Sequence, residues 1–153
     1  MNVSQTGVYG QELQLVAFIL GTEEYAADIL LVQEINRLLK ITRVPKAPEF
    51  IEGVINLRGN VIPVFDLHKR LDLGKRKDTD RTRIIIVQVN DIRAGLIVDG
   101  VTEVLRLKAD QVELPSTLDS TVALDFIAGV GKLNDRLLML LKIDKVLGLE
   151  AVN

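Results

Sequence analysis

The chain has 153 residues, a formal net charge of −2, one histidine and no cysteine, with 48% apolar and 26% charged residues. This is the composition of an ordinary globular protein of one domain, or of two very small ones sharing a core. It excludes a disulfide framework, a thiolate zinc site and a cysteine nucleophile, and it argues against a dedicated nucleic-acid binder, which would be distinctly basic.

Residues 1–10, MNVSQTGVYG, lack the basic start and apolar run of a secretory signal, so the expectation is a flexible tail ahead of one domain over 11–149. No apolar run approaches the ~20 residues needed to span a bilayer. A cytoplasmic protein without membrane insertion is therefore expected.

LQLVAFIL (13–20) reads as a strand ended by Gly21, and its second half is apolar on both faces, which predicts burial on both sides. EEYAADIL (23–30) is the second strand of a hairpin. DILLVQEINRLLK could be a helix, because Leu31, Ile35 and Leu38 fall at helical spacing. A repeat described below makes a helical turn near Asp28, followed by a strand from Val32 to Ile35, the better fit. GVINLRGNVIPVFDL (53–67) then reads as a hairpin with Arg58 at its tip. Gly59 supplies a positive φ cheaply and Asn60 tolerates one. Pro63 has no backbone donor, so its strand is expected at a sheet edge or bulged.

HKRLDLGKRKDTDRTR (68–83) holds 7 basic and 3 acidic side chains and reads as a solvated connector. RIIIVQV (83–89) and IRAGLIVDG (92–100) form the next hairpin, and FIAGVGKLNDRLLMLLKI (126–143) closes the chain.

The chain contains itself twice. At an offset of 69, Leu15 meets Ile84, Phe18 meets Val87, Val32 meets Val101, Glu34 meets Glu103 and Ile35 meets Val104, so VQEI is echoed by VTEV. At an offset of 76, FIEGV (50–54) meets FIAGV (126–130), Val61 meets Leu137, Val64 meets Leu140 and Leu67 meets Ile143. The partner stretch LIVDGVTEVL carries Asp99-Gly100 inside it, which a helix tolerates poorly. The expectation is a mainly β fold of two small barrels with a shared core, roughly 13–78 and 79–149, with elements exchanged at the ends.

Reactive chemistry is scarce. His68, beside Lys69 and Arg70, is expected at the surface, without metal partners at ligand spacing. Phosphate-loop, dinucleotide and nucleophile-elbow motifs are absent. Glu23–Glu24 and Asp78–Asp80 sit in turns where water keeps carboxylates ordinary. Few aromatics leave no stacking platform. No catalytic residue, metal or cofactor is expected, and the chain reads as a binding module. Arg58 either solubilises a turn or offers its planar donor fork to a partner.

GVINLRGNVIPVFDL resembles the signature stretch of the CheW family of chemotaxis coupling proteins, in which N-L-R-G precedes an apolar strand ending in D-L. FILGTEEYAADILLVQEI, GLIVDGVTEVL and FIAGVGKLNDRLLMLLKIDKVL resemble the family's other strands, so the likeness runs from about Glu12 to Leu149. It implies two five-stranded, Src-homology-like barrels with a few short helices, and a non-enzymatic adaptor joining chemoreceptor cytoplasmic tips to the regulatory domain of the histidine kinase CheA. The length further suggests the free-standing adaptor, recruited to membrane-associated receptor arrays. Carried over by motif, the interface positions are Val32, Glu34, Gly53, Asn56, Arg58, Val101 and Val104, with Arg58 pairing either with Glu34 or with a receptor carboxylate. Exposed apolar residues around Leu38 to Val44 are the candidate kinase-facing surface. The competing readings are a small-ligand or oligonucleotide-binding barrel, which lacks the basic and aromatic surface it needs, and a small hydrolase or transferase, which lacks a nucleophile–base pair.

Overall fold

The computed structural model describes residues 12–115 and 124–149. The tail expected over residues 1–10 lies outside them, as does part of the connection 108–125. Eleven strands are described: β1 Glu12–Leu20, β2 Glu23–Asp28, β3 Val32–Arg37, β4 Ile51–Leu57, β5 Asn60–Asp66, β6 Arg83–Val89, β7 Ile92–Val98, β8 Gly100–Lys108, β9 Val112–Glu113, β10 Ile127–Leu133 and β11 Arg136–Leu141. Short helices Leu67–Arg70 and Ile143–Leu147 follow β5 and β11.

The strands form two sheets, ordered β3-β6-β7-β5-β4 and β8-β1-β2-β11-β10-β9. Each sheet is closed by the chain that leaves its first strand. After β3, Thr42 exchanges backbone hydrogen bonds of 2.9 and 2.8 Å with Val54 on the far edge strand β4. After β8, a 3-10 turn at Ala109–Gln111 delivers β9 to the far edge of β10. Counting β8 and β9 as one bent strand gives two five-stranded barrels, whose closure removes exposed edges.

Both expected offsets reappear as structure. β1, β2 and β3 answer to β6, β7 and β8, and β4, β5 and the first helix answer to β10, β11 and the second. Even the connecting bonds repeat: Asp66 N–H donates to Phe50 O, and Lys142 N–H donates to Phe126 O, both at 2.8 Å. The division near residue 78 does not hold for the sheets. β1 and β2 join β8–β11, whereas β6 and β7 join β3–β5. Each repeat lends its opening hairpin to the other's barrel, so the exchange reaches beyond the ends of the chain.

The strands that are apolar on both faces explain this arrangement. Alternate side chains of β1, β6, β7 and β11 point to different cores. Leu13, Leu15, Leu138 and Leu140 fill one barrel, and Ile84, Ile86 and Ile97 fill the other. Phe18, Leu20, Ile85, Val87, Leu96, Met139 and Leu141 meet in a third cluster between the barrels. Period-two alternation permits this only if both faces are covered. At the seam, the Arg70 guanidinium lies 4.2 Å from the Phe50 ring centroid and 4.9 Å from that of its repeat partner Phe126. Arg70 also donates to the carbonyls of Val146 and Lys145 at 2.8 and 3.1 Å.

Two expectations change. Pro63 is not on an edge, because β5 lies between β4 and β7. Val54 turns its backbone polar groups to Thr42, so Val54 and Pro63 form a non-hydrogen-bonded pair, and pairing with β7 starts only at Val64. No donor is needed where the proline stands. His68 is not at the surface but 5% exposed, its Nε2 bonded to Asp99 Oδ2 at 2.9 Å. The connector 68–83 is accordingly only partly solvated. Leu71 is buried within it, and Arg76 reaches the buried Asp66 at 3.1 Å.

A Cβ on Gly53 would lie 2.2 Å from Thr42 O, at the closure of the first barrel, and one on its repeat partner Gly129 would lie 2.8 Å from Val112. Gly53→Ala is therefore expected to lower stability by about 2–3 kcal/mol through forced displacement of backbone. Gly59→Ala, with open space around it, should cost only about 1 kcal/mol from its positive φ. Urea midpoints of the two variants check the order.

Candidate functional site

The tip of the β4–β5 hairpin is a two-residue turn. Leu57 pairs with Asn60, and both residues between them have positive φ, +52° at Arg58 and +86° at Gly59. That is the twist a tight hairpin requires. The positive φ thus falls on Arg58 and not on Asn60. Asn56 Oδ1 accepts from Gly59 N–H at 2.9 Å and locks the turn. The corresponding tip of β10–β11 places Asn134 at φ +55°. Asparagine is at home in the left-handed region, whereas arginine is not. The backbone alone would prefer asparagine at position 58 too, so arginine is there for its side chain.

That side chain is 67% exposed and reaches β3. Arg58 Nη1 donates to Glu34 Oε1 at 3.3 Å, and Nη2 donates to Glu34 Oε2. Asn36 Nδ2 adds a second donor to Glu34 Oε1 at 3.0 Å. Glu34 is positioned by a bulge between Val32 and Glu34, which re-aims the strand beside the hairpin. The Arg58 hydrogen bond, followed by that from Asn36, holds the Glu34 carboxyl below its ordinary value. Arg58 stands largely in water and Glu34 is half-buried, so the pair orients the arginine and adds little stability.

The second copy repeats the device with different residues. Arg136, at the start of β11, donates from Nη1 to Glu103 at 2.7 Å, and Glu103 is the repeat partner of Glu34. Its Nε and Nη2 donate to Glu24 at 3.0 and 2.6 Å, and Thr102 Oγ1 donates to Glu24 at 2.9 Å. The two tips therefore differ less than NLRG against LNDR suggests. The second network is the more enclosed, and its only sequence signal was the glutamate at the repeat offset.

The structure brings Glu34, Asn56 and Arg58 together and leaves the other expected positions elsewhere. Gly53 is buried against Thr42, serving barrel closure. Val32 and Val101, repeat partners, are half-buried against the shared core. Val104 is exposed on β8, in the other barrel. Exposure itself follows the repeat. Ile35 and its partner Val104, and Val61 and its partner Leu137, are large apolar side chains left in solvent at matching places. Leu38, Leu39 and Val44 are exposed as well. Among the described residues, no three His, Asp or Glu side chains are grouped to hold a metal ion, and no helix is long and apolar enough to cross a membrane.

These features define a duplicated two-barrel β protein that carries an arginine–glutamate pair at each hairpin tip and exposed apolar residues at matching places in the two repeats. Comparison with known proteins gives the particular family. Residues 14–151 match the model of the CheW-like domain. The chain is 40% identical over 136 residues to the chemotaxis protein CheW of Helicobacter pylori, covering 88% of this chain and 81% of that protein. It is 38% identical over 141 residues to that of Klebsiella aerogenes, covering 92% and 84%. The crystal structure of the scaffolding protein TtCheW from Thermoanaerobacter tengcongensis superposes with a TM-score of 0.82 at 40% identity, covering 89% of this chain and 88% of that one. The chain belongs to the CheW-like domain family.

The hydrogen bond from Arg136 pulls the Glu24 carboxyl below its ordinary value of 4.5. A carboxylate with a depressed folded value contributes stability above its unfolded value and loses it as pH falls through the folded one. Glu24→Gln is thus expected to cost about 1 kcal/mol at neutral pH. The gap between wild type and variant should close as pH drops below 4.5. Denaturation midpoints across acid pH check this.

Proposed function

We propose that the protein is a non-enzymatic adaptor of bacterial chemotaxis signalling that couples chemoreceptor cytoplasmic tips to the regulatory domain of the histidine kinase CheA. It works in the cytoplasm, recruited to membrane-associated receptor arrays. The observation that carries this reading is the recurrence of one surface device on both barrels: a hairpin-tip arginine paired to a strand glutamate, with two solvent-exposed apolar side chains at matching positions. An adaptor must hold two partners at once, and a duplicated fold supplies two related faces whose residues have diverged. The names of the relatives, chemotaxis and scaffolding proteins, support the same role.

In this reading the receptor's helical hairpin meets the Arg58 side of the molecule. Glu34 and Asn56 hold the tip and the arginine, and Arg58 keeps unused donors for a receptor carboxylate or carbonyl. Val32, Val101 and Val104 offer apolar contact to one face of a helix. Gly53 acts indirectly, by fixing the β4 edge from which the tip projects. The exposed Leu38, Leu39 and Val44 form the kinase-facing patch. No group in this arrangement is poised for covalent chemistry, so the protein transmits by holding geometry between partners.

The purified chain is expected to co-elute with the regulatory domain of a CheA-type kinase at micromolar concentration, and absence of any complex would refute the adaptor role. Arg58→Glu should leave the melting temperature nearly unchanged while weakening receptor-dependent kinase activation by about tenfold or more, the scale of a lost interface arginine. Unfolding of that variant would instead make Arg58 a structural residue.

A further inference from the structure

Where the 77–83 segment passes over the junction of β7 and β8, a cavity of about 410 Å³ opens. We propose that it binds a small organic molecule carrying two or more oxyanion groups, at a site separate from the Arg58 tip. The volume is that of a small-molecule pocket. Lys77, Arg81 and Arg83 line it with positive charge, over a floor that includes Ile19 and Val101. One acid, Asp99, also lines it, but its carboxylate accepts from His68 Nε2 at 2.9 and 3.0 Å and from Gly21 N–H at 2.7 Å. That acid is turned to the barrel junction and forms no ion pair with the three cations, so the lining carries three positive charges against one negative.

The cationic wall is preorganised. Arg83 Nη1 donates to the carbonyls of Asp80 and Thr82 at 2.8 and 2.9 Å, which fixes its guanidinium. Arg81 N–H donates to Thr79 Oγ1 at 3.1 Å, and Thr79 N–H donates to Thr82 Oγ1 at 2.9 Å, closing a rigid turn beneath the Arg81 side chain. Among the described residues, neither the Lys77 nor the Arg81 side chain has a hydrogen-bond or ion-pair partner. A concave surface concentrates the field of such charges, and their mutual repulsion is relieved by an anion seated among them. The cavity is larger than one phosphate needs, and its apolar floor suits a short carbon or bridging body between two charged ends. Phosphoryl and carboxyl groups share this chemistry.

The test is titration of the purified full chain with pyrophosphate and, separately, with citrate, at constant ionic strength, followed by calorimetry and amide chemical shifts. The expected result is saturable binding of at least one probe, with shifts centred on Arg81, Arg83, Val101 and Thr102. Preference between the probes identifies the phosphoryl or carboxyl source. Lys77→Ala and Arg81→Ala should each weaken binding by about tenfold, with unchanged melting temperature and unchanged complex formation with the kinase domain. Lys40→Ala, at an exposed position on another part of the surface, should bind as wild type does. Non-saturable shifts with both probes, or affinity indifferent to Lys77 and Arg81, would overturn the site while leaving the adaptor role untouched.

Discussion

The structure depends on the apolar cluster that lies between the two barrels. Phe18, Tyr25, Ile85, Val87, Leu96, Met139 and Leu141 belong to neither barrel interior, and all are nearly inaccessible to water. Their strands carry the barrel interiors on the opposite face, so one set of backbones serves two cores at once. A barrel of this size alone would bury too little apolar surface to offset the entropy of ordering its chain. Separating the halves would expose the face of every two-sided strand, which binds the molecule into one cooperative unit. The exchange of opening hairpins between the repeats makes the same point covalently, since neither barrel is a continuous copy of the repeat.

Around that core the fold places a few polar links where the barrels meet. Asp99 N–H donates to Ile19 O at 2.9 Å, and its carboxylate accepts from Gly21 and His68, so three segments converge on one residue. The only histidine in the sequence is part of this link, 5% exposed at the junction of the barrels. Arg70 plays a comparable part between Phe50 and Phe126, using the ring faces of two repeat-related residues.

The repeat also shows how the two faces diverged. Position 58 and its partner 134 share a left-handed backbone, but one holds arginine and the other asparagine. The second copy recovers an arginine–glutamate pair two residues later, from Arg136, and buries it more deeply through Glu24 and Thr102. The first tip keeps its arginine in solvent and the second draws its own into a network. Duplication supplied the scaffold, and small shifts along one strand changed what each face can offer.

The two-sided strands, the repeat and the hairpin tip at Arg58 were legible in the residues, because alternation, turn chemistry and internal echoes are local properties of the chain, whereas Glu34 was only one of two partners that the family resemblance left open for Arg58. The sequence by itself thus determined a mainly β, duplicated protein with a shared core. Sheet membership, the central place of Pro63, the burial of His68 and the closing role of Gly53 were decided only in three dimensions. Each depends on a partner distant in the chain: Asp99 stands 31 residues from His68, Val146 76 residues from Arg70, and Glu24 112 residues from Arg136. A one-dimensional pattern records which faces of a strand are apolar, but it does not record which strands will cover them. That choice is made by packing, and it is what turned neighbours of Lys69 and Arg70 into interior residues and left Arg58 facing solvent.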